Sequence, residues 1–180
     1  MATVTLKGNV VALSGNQINV GDKAPAVTLP NKGLADVTIG GCQDAVQVLV
    51  VVPSLDTPVC ASETRKFNVE AASIPNTKVF VVSMDLPFAA GRFCSTEGIE
   101  NLDVLSDFRT KEFGNEYGLT IAEGALRGIL ARAIIVVDKA GTVVYKELVP
   151  EITEEPNYNA AIAAAKAAAG SSCCGGGCHG

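Results

Sequence analysis

Cysteine is the residue type that offers chemistry in this sequence. Three of the six cysteines, Cys42, Cys60 and Cys94, lie in the body of the chain, and the other three lie within the last eight residues beside His179. A thiolate is both a nucleophile and a metal ligand, so each body cysteine is either a buried apolar side chain or a working thiol. His179 is the single histidine, which excludes a Cys–His or Ser–His catalytic arrangement in the body of the chain.

Cys60 stands at the predicted start of a helix. The segment from Pro53 to Cys60 reads PSLDTPVC, and proline is favoured at the first helical position, so Pro58 begins the helix. Thr57 is then the N-cap and Cys60 the third helical residue. The helix dipole and free N–H groups of this turn favour a thiolate, to which the Thr57 hydroxyl could donate. The spacing alone fits a capped helix with a buried cysteine equally well.

Cys94 supplies a second thiol, in the segment DLPFAAGRFC. Disulfide exchange needs a second thiol within bonding range, so cysteines on two neighbouring helices indicate a redox pair. Cys42 lies between Gly41 and Gln43 with no helix signal in the sequence, and we interpret it as structural or incidental. The chain has no Cys-x-x-Cys motif, which excludes ordinary thioredoxin or isomerase chemistry at that motif.

Four segments resemble the bacterial thiol peroxidases, the atypical 2-Cys subfamily of peroxiredoxins. In order, these segments read SLDTPVCASETRKFN, DLPFAAGRFC, ARAIIVVD and LVPEITEEPNY. Pro53, Thr57 and Cys60 match the Pro-x-x-x-Thr-x-x-Cys signature of peroxiredoxins. The resemblance covers about residues 3 to 168.

This resemblance implies a role for five residues. Cys60 would be the peroxidatic cysteine, whose thiolate attacks the peroxide O–O bond and becomes a sulfenic acid. Thr57 would hold the thiolate and the peroxide oxygen, and Pro53 would shield the site. Arg132 would favour the thiolate and stabilise charge on the departing oxygen. Cys94 would be the resolving cysteine, which condenses with the sulfenic acid within the same chain.

The resemblance also implies substrates and partners. The expected activity is the reduction of hydrogen peroxide and organic hydroperoxides in antioxidant defence, with thioredoxin reducing the Cys60–Cys94 disulfide. The family forms homodimers and needs neither a cofactor nor a metal. Four apolar side chains are compatible either with binding of an alkyl chain or with a place in the core: Leu55, Val59, Phe88 and Phe93. The core is favoured for Phe93.

The elements that must position the thiols follow from the apolar runs and their boundaries. We predict an N-terminal hairpin over 3–13, strands over 46–52, 78–83, 133–137 and 142–149, and helices over 58–72, 87–96, 110–117 and 157–169. The near-continuous β-branched run from Val46 to Val52 is typical of a strand buried on both faces. Parallel strands joined by helices, followed by an antiparallel hairpin, favour an α/β thioredoxin-like fold of the peroxiredoxin type with an N-terminal β-hairpin extension.

The end of the chain differs in composition from the rest. We predict one thioredoxin-like domain over residues 1–169 and a flexible Cys/Gly-rich tail over 170–180. Three hypotheses stay open for the tail: binding of a soft metal, thiol exchange with the active site, or no catalytic role. They concern Cys173, Cys174, Cys178 and His179.

Composition and charge exclude several other functions. The chain has 180 residues, is 48% hydrophobic and carries a net charge of −5. A sizeable core can therefore form, whereas a basic surface for nucleic acid or anionic lipid is missing. The sequence has neither a transmembrane run nor a recognisable signal peptide, so we expect a cytoplasmic protein. The alternatives to an enzyme are a metal or thiol buffer and a redox sensor that passes its disulfide to a partner.

Overall fold

The computed structural model describes residues 2–71 and 73–170. Its strands are β1 (Thr3–Leu6), β2 (Asn9–Ser14), β3 (Val27–Pro30), β4 (Asp36–Ile39), β5 (Val46–Val51), β6 (Thr77–Ser83), β7 (Asp103–Ser106), β8 (Thr120–Ile121), β9 (Ala133–Val137) and β10 (Val143–Leu148). Its helices are α1 (Pro58–Ala71), α2 (Pro87–Glu97), α3 (Glu112–Tyr117) and α4 (Tyr158–Gly170). Within these residues, no helix is long and apolar enough to cross a membrane.

A five-stranded sheet forms the centre of the molecule, in the order β10-β9-β5-β6-β7. Strands β5, β6 and β7 are parallel, and β9 and β10 are antiparallel additions. Every residue of β5 is buried, because the strand lies in the middle of the sheet with cores on both faces. The predicted α/β thioredoxin-like fold is confirmed.

The two faces of the sheet support two separate apolar cores. Val48 and Val50 of β5 point into a core that also contains side chains of α1, α2 and α4. Leu49 and Val51 point into the opposite core, which includes Phe113 of α3. This alternation is the period of two expected of a strand. Both candidate catalytic thiols lie in the first core.

The predicted N-terminal hairpin is confirmed, and it turns at Lys7 and Gly8. Both residues have positive φ, 50° and 84°, as a tight two-residue hairpin turn requires. Strand β2 also pairs with β8, so the hairpin is attached to the rest of the chain. A third small core, which includes Val4 and Ile121, lies beneath it.

Three short strands, β4, β7 and β8, are absent from the sequence prediction. Strand β4 pairs with β3 in a separate two-stranded sheet, and β3 lies within residues 21–31, where Pro25 and Pro30 predict a loop or an edge strand. Strand β7 has four residues and β8 has two, too few to display a clear hydrophobic period. Residues 171–180 lie outside the described residues, so the predicted tail is not described beyond Gly170, where α4 ends.

Candidate active site

The turn that carries Cys60 has the predicted cap. Helix α1 begins at Pro58, and the Cys60 backbone N–H donates to Thr57 Oγ1 over 3.3 Å. The Thr57 hydroxyl donates to the Ser54 carbonyl oxygen over 3.3 Å. The Thr57 hydroxyl therefore holds the loop before the helix in this state. The sequence predicts instead that this hydroxyl donates to a thiolate or a bound oxygen. The Cys60 side chain is fully buried.

Arg132 contacts Cys60 from the position just before strand β9. Ala133 pairs with Val51, so Arg132 lies where β5 gives way to the segment that leads into α1. Its Nη1 atom lies 3.1 Å from Cys60 Sγ, and its Nε donates to the Ile152 carbonyl oxygen over 2.9 Å. Arg132 is only 2% exposed, which rules out a surface salt bridge for this residue. A buried guanidinium at this distance favours a thiolate over a thiol.

Glu63 is the second partner of Arg132, and it is not among the residues predicted from the sequence. Its Oε2 atom accepts from Arg132 Nη1 over 2.8 Å, and the side chain is fully buried. Its Oε1 atom is buried without a hydrogen-bond partner. The available signal was spacing, since Glu63 follows Cys60 by three positions and three residues bring two side chains onto one helix face.

Burial and charge act in opposite directions on these two groups. Burial raises the pKa of Glu63 to about 7, although the Arg132 charge and hydrogen bond act to lower it. Burial acts to lower the pKa of Arg132, but the Cys60 and Glu63 charges outweigh burial and the net shift is upward. Arg132 is therefore a permanent cation, whereas Glu63 titrates near neutral pH.

The loop before α1 is fastened to the end of β6 by Asp85. The Asp85 carboxylate accepts from Ser54 Oγ over 2.8 Å, from the Leu55 N–H over 2.7 Å and from Ser83 Oγ over 2.9 Å. Pro53, which precedes this loop, is buried. Asp85 also stands two residues before α2, so one carboxylate joins the two segments that carry Cys60 and Cys94.

Cys94 lies one turn before the end of α2. Its carbonyl oxygen accepts the capping N–H of Gly98, and its side chain is 3% exposed. Burial raises the pKa of the Cys94 thiol, with a smaller lowering effect from Lys32. Cys60 and Cys94 are both free thiols and belong to the same apolar core.

A cavity of about 570 Å³ lies between the loop before α1 and helix α2. Leu55 and Phe93 supply apolar lining, while Asp85 and Arg92 supply charge. Both apolar residues also pack in the core. Phe88 is 72% exposed instead, and Val59 is half-buried outside the cavity lining. The cavity therefore offers a mixed apolar and polar surface next to the turn that carries Cys60.

Cys42 lies away from this constellation. It is exposed and precedes β5, whereas Cys60 follows the other end of that strand. Its Sγ atom lies 3.1 Å from the Lys139 carbonyl oxygen. In the described part of the chain, no group of three or more His, Cys, Asp or Glu side chains could hold a metal ion. The cysteines and histidine of the predicted tail lie outside that part.

Comparison with known proteins gives consistent matches. Residues 19–162 match the Redoxin family, so the N-terminal hairpin precedes the matched region. The chain is 58% identical to the thiol peroxidase of Campylobacter jejuni over 178 residues, covering 99% of this chain and 98% of that protein. It is 53% identical to the thiol peroxidase of Aquifex aeolicus over 164 residues, covering 91% of this chain and 96% of that protein. The match to the Campylobacter jejuni protein extends beyond residue 168, the end of the resemblance expected from the sequence.

A solved structure shares both the fold and the sequence. The crystal structure of a peroxiredoxin-like protein from Aquifex aeolicus superposes with a TM-score of 0.90 at 52% identity, covering 93% of this chain and 97% of that one. Identity and coverage at these levels, together with the Redoxin match, show common descent along nearly the whole chain. The chain belongs to the Redoxin family and, within it, to the thiol peroxidases.

Proposed function

We propose that this thiol peroxidase reduces hydroperoxides at Cys60, resolves the product with Cys94 and is recycled by thioredoxin. The observation that carries the proposal is the buried contact of 3.1 Å between Arg132 Nη1 and Cys60 Sγ. A cation fixed at a buried sulfur stabilises the thiolate, which is the nucleophilic form. Peroxide reduction itself is the activity of the family to which the chain belongs.

The first step consumes one peroxide. The Cys60 sulfur attacks the nearer peroxide oxygen, an S–O bond forms and the O–O bond breaks. The departing oxygen leaves as water or an alcohol after taking up a proton, and Cys60 is oxidised to a sulfenic acid. The Arg132 guanidinium stabilises negative charge on the departing oxygen. Pro53 shields the sulfur, and Thr57 holds the peroxide once its hydroxyl turns away from Ser54.

The second step forms the disulfide. The Cys94 thiol gives up its proton and its sulfur attacks the Cys60 sulfur. An S–S bond forms, the S–O bond of the sulfenic acid breaks, and the departing oxygen takes up the proton and leaves as water. A disulfide needs Cα atoms about 4.4–6.8 Å apart. Since both thiols are buried on separate helices, the first turn of α1 and the end of α2 unwind to meet.

The reductant and setting complete the proposal. Thioredoxin attacks the exposed disulfide and returns both cysteines to thiols, and the protein works as a homodimer in the cytoplasm. Leu86 and Phe88 at the start of α2 are 50% and 72% exposed, and such apolar exposure fits an interface between copies.

A coupled assay tests this function. NADPH consumption is followed with thioredoxin reductase, thioredoxin and either hydrogen peroxide or an alkyl hydroperoxide. Cys60→Ser should abolish turnover, and Cys94→Ser should abolish turnover with thioredoxin while leaving one reaction with peroxide. Cys42→Ser is the matched control and should retain turnover. Full turnover by Cys60→Ser would overturn the proposal.

The same assay separates the hypotheses for the tail. A chain truncated after Ala169 should retain thioredoxin-dependent turnover if the tail has no catalytic role. Slower turnover would support thiol exchange, and a loss of bound zinc or copper would support a metal site. Disulfide formation in the absence of turnover would favour a redox sensor.

A further inference from the structure

One guanidinium faces two acidic groups in the interior of this site. Arg132 Nη1 lies 3.1 Å from Cys60 Sγ and 2.8 Å from Glu63 Oε2. All three side chains are at most 2% exposed. A single positive charge balances one anion, and a second buried negative charge would remain uncompensated.

The surroundings of Glu63 do not supply a second balancing charge. Glu155, in the loop before α4, and Glu147, on β10, both act to raise the pKa of Glu63. Tyr158 of α4 faces the same carboxyl, and its own pKa is raised by burial and by the Glu63 charge. Lys66 of α1 lies over the Tyr158 ring, 4.9 Å from its centroid. Arg132 is thus the cation bonded to Glu63.

The unpartnered oxygen of Glu63 indicates which group carries a proton. Oε1 is buried and makes no hydrogen bond. Leaving a charged oxygen unsatisfied costs more than leaving a neutral hydroxyl unsatisfied. A proton on Oε1 therefore lowers the cost of burial, while Oε2 keeps its bond to Arg132.

We propose that Glu63 is a positioning residue that stores the Cys60 proton, so that thiol and carboxyl share one proton across the Arg132 guanidinium. When the thiolate forms, the S–H bond breaks with its electron pair left on sulfur, and an O–H bond forms on Glu63. This inference rests on the proposed function of Cys60 and extends it to the proton.

The shared proton balances the peroxide reaction. Conversion of a thiolate and a hydroperoxide into a sulfenic acid and an alcohol or water takes up one proton. Glu63 supplies that proton, and its carboxylate then becomes the partner of Arg132 because the sulfenic acid is neutral. Reduction of Cys60 restores the thiol and carboxylate, from which the next thiolate forms. Glu63 thus cycles between acid and carboxylate without a net change.

The pH dependence of Cys60 alkylation tests directly whether the thiol shares its proton with the Glu63 carboxyl. The rate of iodoacetamide addition to Cys60 is followed against pH by peptide mass spectrometry, which distinguishes it from the other cysteines. Glu63→Gln should shift the midpoint to lower pH by about one unit, a tenfold rise in the thiolate-to-thiol ratio. A residue that only held Arg132 in place would shift it upward on replacement. An unchanged or higher midpoint in a folded Glu63→Gln protein would overturn the proposal.

Glu70→Gln is the matched control, because Glu70 lies on the same helix and is partly exposed. It should leave the midpoint in place. If Glu63→Gln does not fold, the titration of the Glu63 carboxyl tests the proposal instead. The ¹³C NMR titration of Glu63 should move to lower pH in Cys60→Ser, where no thiolate competes for Arg132. Identical titrations in the wild type and Cys60→Ser would contradict proton sharing.

Neither readout requires peroxide turnover. A protein without thioredoxin-dependent activity would refute the proposed function while leaving the alkylation midpoints measurable. An active enzyme whose alkylation midpoint is the same in the wild type and in Glu63→Gln would refute only the shared proton. The two failures are therefore distinguishable.

Discussion

Arg132 determines the chemistry available to Cys60, because it is the buried cation in contact with that sulfur. Its position follows from the register of β9 against β5 and from the Ile152 carbonyl that accepts its Nε–H. Preorganised charge of this kind costs no reorganisation when the peroxide bond breaks.

Replacing Arg132 with methionine keeps an apolar stem and removes the charge. We expect the peroxidase kcat/KM to fall by about 10²–10³-fold, as for loss of one preorganised donor at a developing charge. Steady-state kinetics with thioredoxin measure it, with a thermal melt to check the fold. Arg109→Met is the control, because Arg109 is an exposed partner of Asp36. A loss of less than threefold for Arg132→Met would argue against its role.

Local sequence signals reveal only part of this site. Pro58 and Thr57 mark the helix start by local rules, so the position of Cys60 could be predicted from spacing alone. The role of Arg132 came from resemblance, because its contact with Cys60 is made between distant parts of the chain. Glu63 was missed because a glutamate within a helix usually belongs to its solvated face, and only its partner Arg132, just before β9, explains its burial.

At the level of elements, the connection between β5 and α1 must hold Cys60 in place in the reduced protein and move when the disulfide forms. Asp85 fastens it through Ser54 and Leu55. The same carboxylate stands at the entrance to α2. The order of one cysteine-bearing segment is therefore coupled to that of the other.

Asp85→Ala should loosen this connection. Hydrogen bonds to a charged group contribute about 1.5–3 kcal/mol each, so we expect the free energy of unfolding to fall by roughly 2 kcal/mol or more. Urea denaturation measures the change. Asp44→Ala, at an exposed position before β5, should change it by less than about 0.5 kcal/mol. Equal stability of both variants would refute the fastening role.

Oxidation should unwind the same two elements. We expect the amides of Cys60 and Ala61 at the start of α1, and those near Cys94, to lose hydrogen-exchange protection in the oxidised protein. The amides of β5 should keep theirs, since that strand is buried in the sheet. Hydrogen exchange with mass spectrometry compares the reduced and oxidised forms. Equal protection across both helices would mean that the disulfide forms without unwinding.

The elements with strong local signals were predicted and the weak ones were not. The run from Val46 to Val51 is apolar except for Gln47, and the strand Ala133–Val137 is apolar throughout. Both strands appear where expected. Strand β7, by contrast, has four residues and is recognisable only by its pairing with β6. Strand β4 alternates exposed positions with one part-buried and one buried position, and it pairs with β3.

At the level of the whole molecule, one sheet separates two cores and places both thiols on the same side. The N-terminal hairpin precedes the region that matches the Redoxin family, and it shares a third small core with residues of that region. This architecture follows from the order of the strong elements. The proposed association of copies would depend on surface residues that no local pattern identifies.

Phe88 offers a test of self-association. It is 72% exposed at the start of α2, and we expect Phe88→Glu to shift a dimer towards monomer because it places a charge in an apolar contact. Sedimentation velocity measures the change. Val69→Glu, at a position 69% exposed on α1, is the control and should remain dimeric. A dimer unaffected by Phe88→Glu would place the interface elsewhere.

Mapping the disulfide formed after one equivalent of hydrogen peroxide tests the central claim most directly. The reduced protein is oxidised, alkylated and digested without reductant, and cross-linked peptides are identified by mass spectrometry. We predict a Cys60–Cys94 cross-link as the main product, absent from Cys60→Ser, and a Cys60 sulfenic acid trapped in Cys94→Ser. Oxidation that spares Cys60, or a Cys60 sulfenic acid that persists while Cys94 stays reduced, would contradict the account.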